Sequence, residues 1–185
     1  IGVRLVGSEM CIRDSLDANK NLSFIYEKIN IKKINKKINF KISEEQDFIE
    51  YSPLGLKYLK NIFKLIKKNT GGLLIIDYGY ISKKMKDTLQ SISKQKYSKI
   101  FENIGKSDIT HNINFYLIKK IVENYHKLDI NFTSQKKFLI NLGIKQRAEM
   151  IGKNKTFTQK ADIFYRLERL INEKKNGKFV QSLIS

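Results

Sequence analysis

Asp77, Tyr78 and Gly79 form the segment of this sequence best placed to take part in a reaction. They follow the apolar run from Leu73 to Ile76, whose composition is that of a buried strand. A polar residue that ends a parallel strand lies at the carboxyl edge of the sheet, where open α/β folds bind their ligands. Asp77 could orient or deprotonate a substrate group there. The alternative is that Asp77 caps a turn while Tyr78 fills the core.

Asp108, Thr110 and His111 form a second polar cluster. Asp108 and His111 are three residues apart and could form an acid/base pair, although a turn and a helix cap before Phe115 would use the same residues. The chain has two histidines and one cysteine, Cys11, which is too few for a histidine- or cysteine-based metal centre. We therefore predict no metal site.

The helix that precedes the first cluster has clear start and end signals in the sequence. Ser52 and Pro53 have the residue types of a helix cap and of a first helical position, and apolar residues follow at helical spacing up to Ile66. Gly71 and Gly72 then separate this helix from the apolar run. The sequence therefore predicts an α/β unit, with the run as a central parallel strand covered on both faces.

The segments on either side of this unit are less clear. Alternating apolar residues between Leu22 and Ile42 predict a strand pair, but the isoleucines at 31, 34 and 38 also suit a basic amphipathic helix on a membrane surface. Helical spacing is found at 115–125, 135–142, 145–151 and 160–173, with an extended segment at 128–133. We therefore expect the last third of the chain to be mainly helical.

The net charge of +18 would ordinarily suggest nucleic acid or an anionic membrane as a partner. Of the 36 basic residues 31 are lysines, and Lys, Ile and Asn together make 75 of the 185 residues, which is typical of an AT-rich coding bias. The lysines are spread along the chain, whereas phosphate-binding sites favour clustered arginines. We therefore expect no specific nucleic-acid partner and no membrane insertion.

Residues 1–15 differ from the remainder in composition. They begin with Ile1, lack the Lys/Ile/Asn bias, and contain the string Gly7 to Ser15, which resembles a spurious tail found on assembled environmental sequences. We assign residues 1–15 to this tail and residues 16–185 to one domain. A single cysteine and the absence of a charged leader before an apolar stretch suggest a reducing, cytoplasmic compartment.

Several strings, taken in order, resemble the C-terminal half of the MidA-like family of class I S-adenosylmethionine-dependent methyltransferases, which includes the mitochondrial complex I assembly methyltransferase. The similar strings are Glu50-Tyr51-Ser52-Pro53, Gly71-Gly72 through Asp77-Tyr78-Gly79-Tyr80, Asp87-Thr88-Leu89, Ser107-Asp108-Ile109-Thr110 through Phe115, Ser134-Gln135, Phe138-Leu139, Gly143-Ile144, Arg166-Leu167, Gly177 and Phe179. Where that family tends to carry His or Asp, this sequence has Asn112 and Asn114, so the resemblance does not extend to acid/base groups at those two positions.

The resemblance implies an α/β fold made of the C-terminal half of a Rossmann-like methyltransferase sheet with an additional helical region, the N-terminal half being missing. It implies S-adenosylmethionine as cofactor and a protein substrate, with arginine N-methylation of a respiratory complex I subunit as the reaction, in the mitochondrial matrix of a eukaryote. Asp77, Tyr78 and Gly79 would then be catalytic, and Asp108 and Thr110 would bind substrate. The cofactor-binding residues would lie in the missing half, so we expect the fragment itself to be inactive. A basic binding module for nucleic acid or a membrane surface, without catalysis, is the alternative.

Overall fold

The computed structural model describes residues 3–6, 10–19, 21–28, 30–42, 48–126, 128–172 and 179–184, which form a mixed α/β fold. The strands and helices are β1 (Val3–Val6), β2 (Met10–Leu16), β3 (Leu22–Lys28), α1 (Ile31–Ile38), β4 (Phe48–Tyr51), α2 (Pro53–Asn69), β5 (Leu73–Tyr80), β6 (Gln90–Ser93), β7 (Lys96–Ser98), β8 (Asp108–Thr110), β9 (Ile113–Asn114), α3 (Phe115–His126), β10 (Ile130–Ser134), α4 (Gln135–Asn141), α5 (Ile144–Gly152), α6 (Phe157–Ile171) and β11 (Phe179–Ile184).

The first four strands form an antiparallel sheet in the order β3-β2-β1-β4. β2 pairs with β3 along its full length, and β1 pairs with β4 from Val3 opposite Tyr51 to Val6 opposite Phe48. The structure thus places much of the stretch 1–15 in strands. The assignment of that stretch to a spurious tail stays a prediction.

The predicted α/β unit is confirmed as α2 followed by β5. The Ser52 hydroxyl accepts the Gly55 N–H at 3.0 Å and Pro53 is the first helical residue. β5 lies inside a second sheet of order β10-β11-β5-β9, antiparallel to β11 and parallel to β9. The parallel pairing is limited to Gly79 and Tyr80.

The expectation that β5 is covered on both faces is wrong. Leu73 and Ile75 pack against the core, but Leu74, Ile76 and Tyr78 are 43%, 51% and 50% exposed. Successive residues of a strand point to opposite faces, so the face of β5 that carries Leu74, Ile76 and Tyr78 is open at these residues in the part of the chain that the structure describes, up to the partly buried Tyr80.

The predicted strand pair at 22–42 is confirmed only for β3, since the second alternating stretch, Ile38 to Ile42, is the last residue of α1 followed by a turn. The isoleucines at 31, 34 and 38 instead form the helix that the sequence offered as the alternative. The Asn30 side chain accepts the Lys33 N–H at 3.2 Å, and Asn39 ends the helix in the left-handed region with φ of 52°. Ile34 and Ile38 are buried, and this packing compensates for the weak helix propensity of Asn and Ile. The apolar face of α1 is therefore occupied by the core and is not open to a membrane surface.

Two cores meet at α3. Its Leu117 and Ile121 pack with residues of α1, β4 and α2, whereas Phe115 and Val122 pack with α2, β5 and β10. These four side chains are almost fully buried. Because α3 contributes to both cores, it fixes the position of β9 and of the residues just before it relative to β5.

The region between β5 and α3 contains a small sheet that the sequence analysis did not predict, in the order β7-β6-β8. The C-terminal helices α4, α5 and α6 follow the predicted order, and Gly143, with φ of 82°, separates α4 from α5. α6 begins at Phe157, three residues before the predicted start, because Thr156 and Gln159 form a capping box. α5 and α6 share a third apolar cluster that includes Ala148.

None of the helices in the described ranges is long and apolar enough to cross a membrane.

Candidate active site

Asp77 lies on β5 with its side chain exposed. Its Oδ1 accepts the backbone N–H of Tyr78 at 2.7 Å. One carboxylate oxygen is thus engaged by the backbone, while the side chain as a whole is exposed to solvent. Tyr78 lies on the opposite, open face of the strand and is half exposed. A carboxylate in this position can accept a hydrogen bond or a proton from a group that approaches β5.

Gly79 is buried in the strand and does not form a sharp turn there. A Cβ at this position would lie 2.4 Å from the carbonyl oxygen of Ile113 and 2.5 Å from a ring carbon of Phe115. Glycine is required because β9 and the first residue of α3 approach the backbone of β5 this closely.

Tyr80 and Asn114 connect the end of β5 to the start of α3. The Asn114 Oδ1 accepts the N–H groups of Tyr116 and Leu117 at 3.0 and 3.3 Å, which is the geometry of a helix N-cap. Its Nδ2 donates to the carbonyl of Ser82 at 3.1 Å, a bond that an aspartate carboxylate could not make. Asn114 is therefore a structural residue, whose amide makes these bonds at a position where the similar family tends to have a carboxylate.

The Tyr80 hydroxyl accepts the Lys86 N–H at 3.0 Å and bonds with the side chain of Asn114. Burial raises the pKa of the Tyr80 phenol above its ordinary value, and the negative charge of Glu50 raises it further. The Lys86 ammonium lies 5.7 Å from the centre of the Tyr80 ring, within the range of a cation–π contact. Tyr80 is therefore a neutral hydrogen-bonding group that holds the loop after β5.

Glu50 was not among the sequence candidates, yet it is the carboxylate most closely tied to this region. The Thr88 hydroxyl donates to Glu50 Oε2 at 2.6 Å and accepts the Asn112 N–H at 3.0 Å. Glu50 lies at the end of β4, so this chain of bonds joins the first sheet to the segment that leads into β9. The sequence could have pointed to Glu50 through the string Glu50-Tyr51-Ser52-Pro53, because Glu50 stands just before a strongly marked helix start.

Asp108 and Thr110 lie on β8, in the small third sheet, and both are exposed. Thr110 Oγ1 accepts the side-chain N–H of Gln90 at 3.1 Å, across the strand pair. Among the described contacts, no hydrogen bond or ion pair joins Asp108 to His111 or to Asp77. The two predicted clusters thus lie on separate sheets. The hydrogen bond from the Asn112 N–H to the Thr88 hydroxyl connects the loop before β6 with the segment between β8 and β9.

The described residues contain no cluster of three or more His, Cys, Asp or Glu side chains that could hold a metal ion. A Gly-x-Gly-x-x-Gly loop, which would let the backbone approach a nucleoside cofactor, does not occur in this sequence. The glycine pair Gly71-Gly72 stands at the opposite end of β5 from Asp77. No residue of this chain is therefore assigned to bind the cofactor.

Comparison with known proteins identifies the family. Residues 7–133, more than half of the chain, match the model of a family described as "Putative S-adenosyl-L-methionine-dependent methyltransferase". The chain belongs to this family. The resemblance to MidA-like methyltransferases is thereby confirmed, and S-adenosylmethionine is the cofactor by which the family is described. The match begins within the stretch 1–15, whose boundary remains a prediction.

Solved structures share the fold. A native crystal structure of a Burkholderia thailandensis protein superposes with a TM-score of 0.75 at 19% identity, covering 95% of this chain and 48% of that protein. A second from the same organism, with S-adenosyl-homocysteine bound, gives 0.74 at 18% identity, covering 100% and 49%. The mitochondrial protein arginine methyltransferase NDUFAF7 of Xenopus tropicalis is 26% identical over 108 residues, 58% of this chain and 25% of the relative. The chain thus spans a quarter of this relative's length and about half of the solved proteins.

Proposed function

We propose that this chain is part of an S-adenosylmethionine-dependent methyltransferase that methylates an arginine nitrogen of a protein substrate. The family match over residues 7–133 carries the proposal, and the arginine methyltransferase NDUFAF7 supports the choice of acceptor. A subunit of respiratory complex I is the proposed substrate, and the mitochondrial matrix is the proposed compartment if the source is eukaryotic.

We further propose that the chain forms the C-terminal half of a Rossmann-like domain. The edge of β5 supports this. Residues 73–78 pair with β11 on one side, whereas on the other side the described pairing is limited to β9 at Gly79 and Tyr80. An edge of six residues beside an open apolar face is a place where a further strand and its covering helix can be added.

A second apolar stripe on α2 supports the same proposal. Leu56 and Phe63 face the core, but the exposed Leu54, Tyr58 and Leu65 recur at helical spacing on another side of the helix. A helix with apolar residues on two sides is typical of one packed between two layers. The solved proteins are about twice as long as this chain. In a parent protein of similar length, the additional residues could cover both surfaces.

In the complete enzyme, we propose that Asp77 orients the acceptor nitrogen or removes its proton. The cofactor supplies an electrophilic methyl group, and transfer requires the nitrogen lone pair to be held in line with the carbon–sulfur bond. Among the described contacts, only the Oδ1 of the exposed Asp77 carboxylate accepts a backbone N–H, so the carboxylate can also hold a guanidinium N–H. Tyr78 would border the acceptor pocket, and Gly79 would shape it by letting β9 and α3 pack against β5. Asp108 and Thr110 would contact the substrate chain.

The test is Asp77→Asn in the longer parent protein. Asn keeps a carbonyl oxygen for the Tyr78 N–H, so the substitution removes the charge without removing the local bond. We expect kcat to fall about a hundredfold or more. Asp162→Asn, which changes an exposed aspartate on α6, is the matched control and should leave kcat within about twofold. Near-normal turnover of a folded Asp77→Asn protein would return Asp77 to a structural role.

A further inference from the structure

A groove between α1 and α2, here called the α1–α2 groove, shares no lining residue with the proposed acceptor site. It encloses about 340 Å³, within the range of binding pockets of roughly 300–1,000 Å³. Its floor is apolar and includes Ile38 of α1, Tyr51 of β4 and Leu56 of α2, all of which are buried. The floor belongs to a rigid part of the fold, because all three side chains are also members of the first core.

The rim of the groove is basic. Lys37 of α1 and Lys57, Lys60 and Lys64 of α2 line it, and the described lining residues include no carboxylate. The Lys60 ammonium donates to the Lys37 carbonyl at 2.9 Å, so one charge is fixed between the two helices at the C-terminal end of α1. Lysines are common throughout this chain, but here four converge on one apolar cavity.

We propose that the α1–α2 groove binds an acidic amphipathic segment of a partner protein. Its carboxylates would meet the lysine rim, and its apolar side chains would enter the floor made by Ile38, Tyr51 and Leu56. This mode of recognition is that of a helix or extended segment in a groove, where apolar anchors supply affinity and the charged rim supplies orientation and specificity. The proposal does not depend on the methyltransferase function proposed above.

The combination of floor and rim favours a protein segment over the other polyanions. A nucleic-acid backbone would engage the lysines but leave the apolar floor unfilled. A membrane surface is flat and cannot fill the floor of the groove. The apolar side chains of α1 pack against the core, and the exposed apolar stripe of α2 lies outside the groove. A segment with carboxylates between apolar side chains can fill the apolar floor and also pair with the lysine rim.

The lysine rim and the apolar stripe lie on different sides of α2. At 3.6 residues per turn, Lys57, Lys60 and Lys64 lie on one flank of α2, beside the apolar stripe that includes Leu54 and Tyr58. The groove and the stripe are therefore separate surfaces of this helix.

The test uses the full 185-residue chain and a fluorescein-labelled peptide that alternates Glu with Leu. We expect a Kd in the micromolar range at about 50 mM salt. Double reversal of the exposed rim residues, Lys57→Glu with Lys64→Glu, should weaken binding about tenfold. Lys153→Glu with Lys155→Glu, at exposed positions near the start of α6, changes the net charge equally and should weaken it less than about twofold. Circular dichroism checks that both variants keep their helices.

Two further probes distinguish an acidic protein segment from other ligands of the groove. A peptide with Gln in place of Glu should bind at least about tenfold more weakly, because it cannot use the lysine rim. A single-stranded oligonucleotide and vesicles of phosphatidylserine with phosphatidylcholine are the competing polyanions. Equal weakening by the two double variants, equal binding of the Gln peptide, or tighter binding of either competing polyanion would overturn the proposal.

Discussion

Gly79 is the residue whose identity the structure explains most directly. β9 and Phe115 approach its backbone so closely that any side chain would overlap them. We expect Gly79→Ala to lower the free energy of unfolding by about 2 kcal/mol or more, since β5 and α3 would have to separate. Urea unfolding followed by circular dichroism measures this.

Gly71→Ala is the control for that substitution, because a Cβ at Gly71 would meet no atom within 4 Å. It should change the free energy of unfolding by less than about 0.5 kcal/mol. Equal effects of the two substitutions would show that the close approach at Gly79 does not contribute to stability.

The sequence could indicate Asp77 as a candidate, because its position after an apolar run marks the end of a strand. It could not indicate that Asp77 Oδ1 accepts the Tyr78 N–H, nor that Thr88 joins Glu50 to Asn112. Those contacts depend on how β4 and the loops around β6 are placed, and the residues involved are far apart in the chain. Spacing within one segment carries no information about them.

At the scale of secondary structure, the start of α3 depends on one side chain. Asn114 Oδ1 accepts two N–H groups of the first helical turn. Asn114→Ala should destabilise this turn by about 1 to 2 kcal/mol. Hydrogen exchange of the Tyr116 and Leu117 amides should accelerate accordingly, by roughly five- to thirtyfold.

Asn112→Ala provides the comparison, since Asn112 is exposed and joins Thr88 through its backbone N–H. Exchange at Tyr116 and Leu117 should then stay within about twofold of the unsubstituted chain. Unchanged exchange in the Asn114→Ala chain would contradict the assignment of Asn114 as the N-cap.

Elements with explicit end signals were predictable. α2 begins at Pro53 after a serine cap, and β5 follows the glycine pair, both as the sequence indicated. α1 could be predicted only as an alternative to a strand, and on a membrane surface, because its stability comes from burying Ile34 and Ile38 against other elements. The strands β6, β7 and β8 are only three or four residues long, and their pairing joins segments that show little alternation of apolar residues.

At the scale of the whole molecule, the mixed α/β class followed from the α2–β5 unit, but the openness of one face of β5 did not. A continuous apolar run predicts burial on both sides, and Leu74 and Ile76 are instead about half exposed. An exposed apolar face marks a surface that another layer or partner can cover. The proposal of a further layer on β5 rests on this mismatch.

Calorimetric titration of the purified chain with S-adenosylmethionine tests most directly whether these residues form only one half of a methyltransferase domain. We predict no saturable binding below about millimolar, which corresponds to a binding free energy weaker than roughly 4 kcal/mol. The physical reason is that the chain has no glycine-rich loop to approach the cofactor, and Asp77 lies exposed on β5. A dissociation constant in the micromolar range would contradict the proposal, since the described residues would then build a complete cofactor site by themselves.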